Sequence, residues 1–353
     1  MENVSTLTIG CDLGDRNSDL CVLDEAGDVV KTRRFSSTRN RFTKVFSEFP
    51  PSRVVIEVGC HSPWVSRLLE AQGHQVIVAN PRKVALIYQD VRKSDRTDAE
   101  LLARLGRVDP QLLSPIQHRG EAMQRVRTLL RARAQLVQVR TQLITSVRSL
   151  VKSFSGERLP SCSAASFHNK AAESMTEALR PMLCPMVASI ETLTTQIKVL
   201  DARIEYCSRV EYPEAMLLRQ VSGVGPVTAL AFVATLDDPH RFKRSRQVGA
   251  FLGLCPRRDQ SGNSDKQLGI SKCGDPYLRK LLVQCAHQIL GRFRPDTDLR
   301  RWGLAKAEHG GKNAKKRTIV ALARKLAVLL HALWVGQTEY VPIGYRQPTR
   351  RAA

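Results

Sequence analysis

Leu7-Thr8-Ile9-Gly10-Cys11-Asp12, followed by Leu13-Gly14, is a short apolar run that ends in an acid. Bounded by a turn signal, such a run reads as a buried strand with Asp12 at its carboxyl end. Working outward, Leu20-Cys21-Val22-Leu23 and Val29-Val30-Lys31-Thr32 flank the turn Asp24-Glu25-Ala26-Gly27-Asp28, so the next two strands are predicted to form a hairpin. A helical stretch around Phe42 to Phe49 stops at Pro50-Pro51, and Arg53-Val54-Val55-Ile56-Glu57 is again an apolar strand ending in an acid. Ser62 as N-cap and Pro63 in the first turn start a helix that ends at Gly73. Val76-Ile77-Val78-Ala79 supplies a fifth strand, and Asn80-Pro81 opens a further helix.

Three strands in succession, then alternating helix and strand, is the order of the ribonuclease-H-like (RuvC-like) α/β fold. Ligands sit outside the carboxyl ends of such strands, so Asp12 and Glu57 are expected to face one crevice. Downstream, Lys93-Ser94-Asp95-Arg96-Thr97-Asp98-Ala99-Glu100 spaces two aspartates three apart, which on a helix makes them surface neighbours. Thr97 with Glu100 has the form of a capping box, placing both acids near the start of a helix that continues through Leu101, Leu102 and Leu105. Alone, acids in a first turn are ordinary complements of the helix dipole. Joined to Asp12 and Glu57 they make an oxygen-rich set of four carboxylates that selects Mg²⁺ or Mn²⁺. Two such ions, about 3.5–4 Å apart, activate an attacking oxygen and stabilise the leaving oxygen of a phosphodiester. Asp12-Leu13-Gly14 also has the form of the first phosphate loop of sugar kinases and actin-like ATPases. The second strand-and-loop those proteins need in a duplicated domain is not found.

Composition narrows the partner. The 353 residues hold 55 Lys and Arg against 33 Asp and Glu, a formal net charge of +22. The expected partner is polyanionic. Membrane is disfavoured, because the longest apolar contender, Ile319 to Trp334, is interrupted by Arg324 and Lys325. The N-terminus has no signal-peptide pattern. Nine scattered cysteines with no C-x-x-C pair argue against a zinc site or a disulfide framework and fit a reducing cytoplasm. Binding is expected to weaken on the order of 10³-fold or more between about 50 and 200 mM salt if six or more phosphates are contacted.

The middle of the chain reads as helical. Val126, Leu129, Leu136, Leu143, Val147, Leu150 and Phe154 form a heptad seam interrupted by Arg133 and Arg140, and a second seam runs through Leu183, Ile190, Leu193, Ile197, Leu200 and Ile204. The Ser-rich segment Gly156 to Ser166 connects them. Two readings stand side by side here, an intramolecular hairpin and a subunit interface. Arg125, Arg127, Arg131 and Arg148 are expected on a nucleic-acid face.

Beyond it, Ser222-Gly223-Val224-Gly225-Pro226 has the form of a helix-hairpin-helix turn, in which Gly223 and Gly225 let a helix present backbone N–H groups to phosphate. Pro256-Arg257-Arg258-Asp259-Gln260-Ser261-Gly262-Asn263-Ser264 reads as a polar loop, and Ile270-Ser271-Lys272-Cys273-Gly274-Asp275-Pro276-Tyr277-Leu278-Arg279 follows it. Arg257, Arg258, Lys266, Lys272 and Arg279 are candidates to hold a phosphodiester beside Ser261. No histidine lies close in sequence to activate that hydroxyl, so its base or metal must come from elsewhere. Lys312, Lys315 and Lys316 extend the basic set, an apolar helix runs from Thr318 to Trp334, and the tail from Gly336 is expected to be loose.

Together these motifs resemble the DEDD transposases of bacterial insertion sequences, relatives of the Piv-type DNA invertases whose members include recombinases guided by a bridge RNA. The resemblance rests on Asp12, Glu57, Asp95 and Asp98, then Ser-Gly-Val-Gly-Pro, Pro-Arg-Arg-x-x-Ser-Gly and Ile-Ser-Lys-x-Gly-x-x-x-Leu-Arg in that order. It implies a RuvC-like catalytic domain at 5–108, a helical coiled-coil segment at 119–208, a mainly helical transposase domain at 212–335 and a tail at 336–353. It also implies that Ser261 attacks DNA and becomes covalently linked to it, beside Mg²⁺ held by the carboxylates, in a homo-oligomer from dimer to tetramer. DNA and an element-encoded guide RNA are the implied partners, in the bacterial cytoplasm at the nucleoid. The chain departs from the pattern where Val58-Gly59-Cys60-His61 follows the glutamate and where Arg16 stands in place of an early lysine. Two other readings remain open: a structure-selective nuclease using metal-activated water, and a non-catalytic nucleic-acid scaffold.

Overall fold

The computed structural model describes residues 7–81, 94–262, 264–308, 311 and 313–342. The chain divides into two compact units, up to His118 and from Arg119 onward. In the first, β1 (Thr8–Asp12), β2 (Asn17–Leu23), β3 (Val29–Ser36), β4 (Arg53–Glu57) and β5 (Gln75–Ala79) form one sheet in the order β3-β2-β1-β4-β5. β1 pairs antiparallel with β2 and parallel with β4, and β4 pairs parallel with β5. Cys11 lies opposite Ile56, so the next residues, Asp12 and Glu57, leave adjacent parallel strands at the same end.

Alternation along the strands feeds two layers. Ile9, Cys11, Leu20, Val22, Val54 and Ile56 pack on one side with α1 (Arg39–Phe46) and α2 (Ser62–Ala71), where Phe35 meets Phe42 edge-on at 4.8 Å. On the other side Val55, Ile77, Cys21 and Leu23 pack beneath α3 (Asp95–Val108) through Ala99, Leu102 and Ala103. The close seat of α3 is a glycine effect. A Cβ at Gly10 would lie 2.0 Å from the Ala99 carbonyl oxygen and 2.5 Å from the Ala103 nitrogen, and one at Gly106 would lie 2.3 Å from Val55 Cγ2. Gly10→Ala is therefore expected to destabilise the chain by about 3 kcal/mol or more, because backbone, not a flexible side chain, occupies the space. Urea denaturation measures this; a cost under about 1 kcal/mol would refute the close seat.

The N-terminus of α3 corrects the expected capping box. Ser94, not Thr97, is the N-cap, its hydroxyl accepting the Thr97 amide at 3.2 Å. Asp95 is thus the first helical residue and Asp98 lies one turn on. The helix expected after Asn80-Pro81 falls mostly at 82–93, outside the described residues.

In the second unit, α4 (Glu121–Ser155) and α6 (Arg180–Tyr206) form an antiparallel hairpin, with Arg133 bonded to Asp201 at 2.6 Å and Arg140 to Thr194 at 3.3 Å. The two arginines that interrupt the seam are thus its polar cross-links, and the hairpin is intramolecular. Leu150 and Phe154, expected in the seam, are 47% and 61% exposed; Val147 and Val151 take the buried positions against Leu183, Val187 and Ile190. At the far end α5 (Phe167–Ser174) is held by Arg148, which stacks on Phe167 at 4.9 Å and donates to the Leu159 and Pro160 carbonyls.

The remaining elements are α7 (Glu214–Leu218), α8 (Pro226–Leu236), α9 (Arg246–Phe251), a hairpin of β6 (Pro256–Ser261) and β7 (Ser264–Ile270), α10 (Pro276–Ile289), α11 (Asp298–Glu308) and α12 (Ala314–Gly336). Every residue of α8 from Thr228 to Leu236 is buried, and the helices around it share one core. By length and composition α12 would suffice to cross a membrane, yet Leu322, Ala323, Leu326, Ala327 and Leu330 lie wholly inside this core. The segment after α12 is anchored at Tyr340, which bonds through its amide to Gln220 and through its hydroxyl to Asp298.

Candidate active site

The sheet and α3 bring the four N-terminal acids into one electrostatic neighbourhood. Burial, then the charges of Asp98, Asp95, Glu57 and Asp19, push the Asp12 carboxyl up to about 6. Asp19 was not singled out by sequence pattern. It faces Asp12 across the β1–β2 ladder, is largely buried, and has one carboxylate oxygen without a hydrogen bond. Arg34 on β3 reaches both Asp19 at 3.8 Å and Asp95 at 3.7 Å, a protein cation standing where like charges converge.

The donor set fits a hard divalent cation: every candidate ligand is a carboxylate oxygen, and burial followed by the neighbouring acids raises the cost of leaving Asp12 charged without a cation. The set is convergent but not closed. Among the described residues no group of three or more His, Cys, Asp or Glu is drawn close enough to hold a metal as it stands.

A pH dependence follows. With its pKa raised from 3.8 to about 6, the proton on Asp12 favours the folded metal-free chain fully below pH 3.8, and that contribution is lost as pH rises through about 6. A divalent ion competes with the same proton, so metal affinity is expected to fall as pH drops below about 6. Carboxyl-carbon NMR titration with and without Mg²⁺ checks this; an Asp12 titrating near 4 would remove the coupling.

At the mouth of the same sheet, His61 ends the loop after Glu57. Trp64 Nε1 donates to its Nδ1 at 3.0 Å, which leaves the other ring nitrogen facing Asp15 at 3.6 Å. The departure from the family pattern is thus an ordered aromatic corner.

In the second unit Ser261 does not lie in an irregular loop. It is the last residue of β6, paired with Ser264 across the end of an antiparallel hairpin whose turn is entered by Gly262 at φ +52°. Almost every residue of this hairpin is exposed, so alternation of apolar residues could not have announced it. No described residue hydrogen-bonds the Ser261 hydroxyl. Arg257 is exposed and free of described ion pairs, whereas Arg258 grips Asp265 through two hydrogen bonds of 2.7 and 2.6 Å.

The motif after the hairpin is largely architecture. Asp275 caps α10 by accepting the Tyr277 and Leu278 amides and takes Arg127 at 2.6 Å. Burial opposes its charge, but Arg127 and the two amides hold its carboxyl below the usual range. Arg279 donates to the Leu252 and Cys273 carbonyls, and at Gly274, with φ +71°, a Cβ would lie 2.1 Å from the Phe251 carbonyl oxygen. Lys272 is exposed. Arg127 and Arg148, expected on a nucleic-acid face, are therefore internal cross-links; Arg125 pairs with Glu121 one turn away, and Arg131 lies 3.9 Å from Asp275.

Ser222 to Gly225 forms the turn between α7 and α8. Gly223, at φ +90°, sits against Ile289 of α10, and Val224 is buried while Gly225 precedes Pro226 at the half-exposed start of α8. Lys315 and Lys316 lie exposed in the first turn of α12, and Lys312 lies outside the described residues.

Comparison with known proteins gives two family matches. Residues 9–155 match the DEDD transposase domain of IS110 elements, and residues 215–300 match the Transposase IS116/IS110/IS902 family. The chain is 31% identical over 351 residues to the transposase for insertion sequence element IS1111A of Coxiella burnetii, covering 94% of this chain and 90% of that one. It is 30% identical to a probable family 20 transposase of Pseudomonas aeruginosa, covering 95% and 98%. It is 27% identical to the pilin gene-inverting protein of Moraxella lacunata, covering 74% and 72%.

Proposed function

Because the chain belongs to the IS110 family of insertion-sequence transposases, we propose that it cuts and rejoins DNA with Ser261 as nucleophile and Asp12, Glu57, Asp95 and Asp98 as the ligands of Mg²⁺. The observation that carries this reading is the exit of Asp12 and Glu57 at the same end of adjacent parallel strands, close enough to Asp95 and Asp98 for all three acids to act on the Asp12 carboxyl. The sheet order β3-β2-β1-β4-β5 supports a ribonuclease-H-like first domain at 5–108, followed by the helical segment at 119–208 and the transposase domain at 212–335.

A divalent ion in this set supplies neutralisation of charge developing on phosphate. The chain's own groups do the rest. Ser261 Oγ bonds to phosphorus as one ester bond to deoxyribose breaks, and the serine proton ends on the departing deoxyribose oxygen. One phosphodiester replaces another, so the step needs no external energy source, and reversal onto a second strand restores the serine. Arg257 and Lys266 on the hairpin and Lys272 just after it, all exposed, are cations available to bind the phosphate. Assembly as a dimer or tetramer and pairing with a guide RNA belong to the same reading, on the family resemblance and the net charge of +22.

One observation favours the water-using nuclease: no described neighbour engages the Ser261 hydroxyl. The first test is incubation with element-end DNA in Mg²⁺ or chelator. Cleavage in Mg²⁺ alone is the expected result; binding without turnover under any metal condition would leave a scaffold.

A further inference from the structure

The second unit contains a groove of about 1450 Å³ between the base of the β6–β7 hairpin and the α11–α12 pair. Six cationic side chains line it, Arg246, Lys306, Lys316, Arg317, Arg324 and Lys325, and no described carboxylate does. None of the six has an ion-pair partner among the described residues. Elsewhere in this unit exposed arginines commonly find an acid, as Arg125, Arg203, Arg258 and Arg301 do. Six cations gathered without an acid repel each other, and an anionic occupant relieves that repulsion. The volume exceeds the usual range for a small-molecule site, about 300–1,000 Å³. Residues 302–328, which supply five of the six, lie outside both segments matched to transposase families.

The side chains also say which part of a nucleic acid is held. Among the described residues Trp302 is the one aromatic in the lining, and its ring is taken by the Lys325 ammonium at 4.7 Å and the Lys306 ammonium at 5.8 Å. A ring so occupied positions two cations and offers no stacking platform of the kind single-strand binders use. The Arg324 stem lies across Gly249, where a Cβ would come within 3.0 Å of its Cγ, so that guanidinium is also held in place. The lining is therefore built for phosphates and not for bases.

The hairpin gives the register. Pro256 and Ile270 line the groove at its base, and Ser261 stands at its other end. Five residue steps of strand span about 17 Å, which equals about five base-pair rises of a duplex. We propose that this groove clamps the backbone of duplex DNA about five base pairs from the phosphate at Ser261, independently of sequence. The register, though not the clamp, rests on the assignment of Ser261 above.

The test compares two triple variants of equal charge: Lys316→Gln, Arg317→Gln and Lys325→Gln in the groove, and Lys152→Gln, Lys198→Gln and Arg209→Gln on exposed positions away from it. Binding of a fluorescent element-end duplex is measured across a salt series. Each lost phosphate contact lowers the slope of log K against log salt by about 0.9, so the groove variant is expected to lose about 2.7 from its slope. An unchanged slope, or an equal fall in the distal variant, would overturn the clamp. An equal series with duplex RNA distinguishes the occupant; loss confined to RNA would overturn the assignment to DNA. Because this readout involves no cleavage, it stands whether or not Ser261 is the nucleophile. Phosphate-ethylation interference then reads the register: a block about five nucleotides from the cut bond is expected, and a block only at the cut bond would overturn it. Should the triple variant fail to fold, Lys325→Gln alone carries the same test with a slope change of about 0.9.

Discussion

Ser261→Ala is expected to abolish strand transfer and any covalent link to DNA while leaving DNA affinity unchanged. Removing a nucleophile costs on the order of 10⁴–10⁶ in rate when no other group can take its place. The serine is exposed at the end of a hairpin whose folding does not use its hydroxyl, so the variant should fold and melt like the parent. A gel assay of strand transfer beside a binding titration separates the two effects. Recombination retained within about tenfold of the parent would remove Ser261 from the mechanism.

Asp98→Ala and Asp12→Asn are expected to lower cleavage on the order of 10³-fold or more, by removing charge stabilisation at the reacting phosphate. They should differ in their secondary effects. After burial, Asp98 is the largest influence on the Asp12 carboxyl, so Asp98→Ala should move the Asp12 titration back toward its ordinary value. It should also raise the stability of the metal-free chain above pH 6, where repulsion is greatest. Cleavage that survives in Asp98→Ala would exclude the carboxylate set as the metal site.

The first unit was largely legible because its strands are short apolar runs punctuated by acids and turns, and those patterns are local. Arg53–Glu57 emerges with the bounds read from sequence, and the Asp95 and Asp98 spacing sets both on α3. The contribution of Gly10 was not legible, because the need for no side chain there arises from α3, nearly 90 residues later. Ser94 displaced Thr97 as the cap for a related reason: both are good caps, and the hydroxyl-to-amide geometry decides between them. Asp19 escaped notice because one acid in an otherwise apolar strand carries no spacing signal, and only the pairing of β1 with β2 sets it opposite Asp12.

The second unit was harder to read. Its hairpin is polar on both faces, so the usual period-two pattern is absent. Arg127, Arg148 and Arg279 are as basic as any nucleic-acid ligand in sequence, and only the fold shows them bonded to Asp275 and to backbone carbonyls. The strongest unpaired charge lies instead along α11 and α12, where single residues gave no hint that they share a groove.

The central claim is a covalent serine-DNA intermediate that depends on the carboxylates. A denaturing gel of the protein incubated with its element's DNA ends, Mg²⁺ and co-purifying RNA tests it most directly, beside Ser261→Ala and Asp98→Ala. A protein-DNA adduct is expected with the unaltered chain and with neither variant. Cleaved DNA without an adduct, persisting in Ser261→Ala and lost in Asp98→Ala, would contradict it and make water the nucleophile.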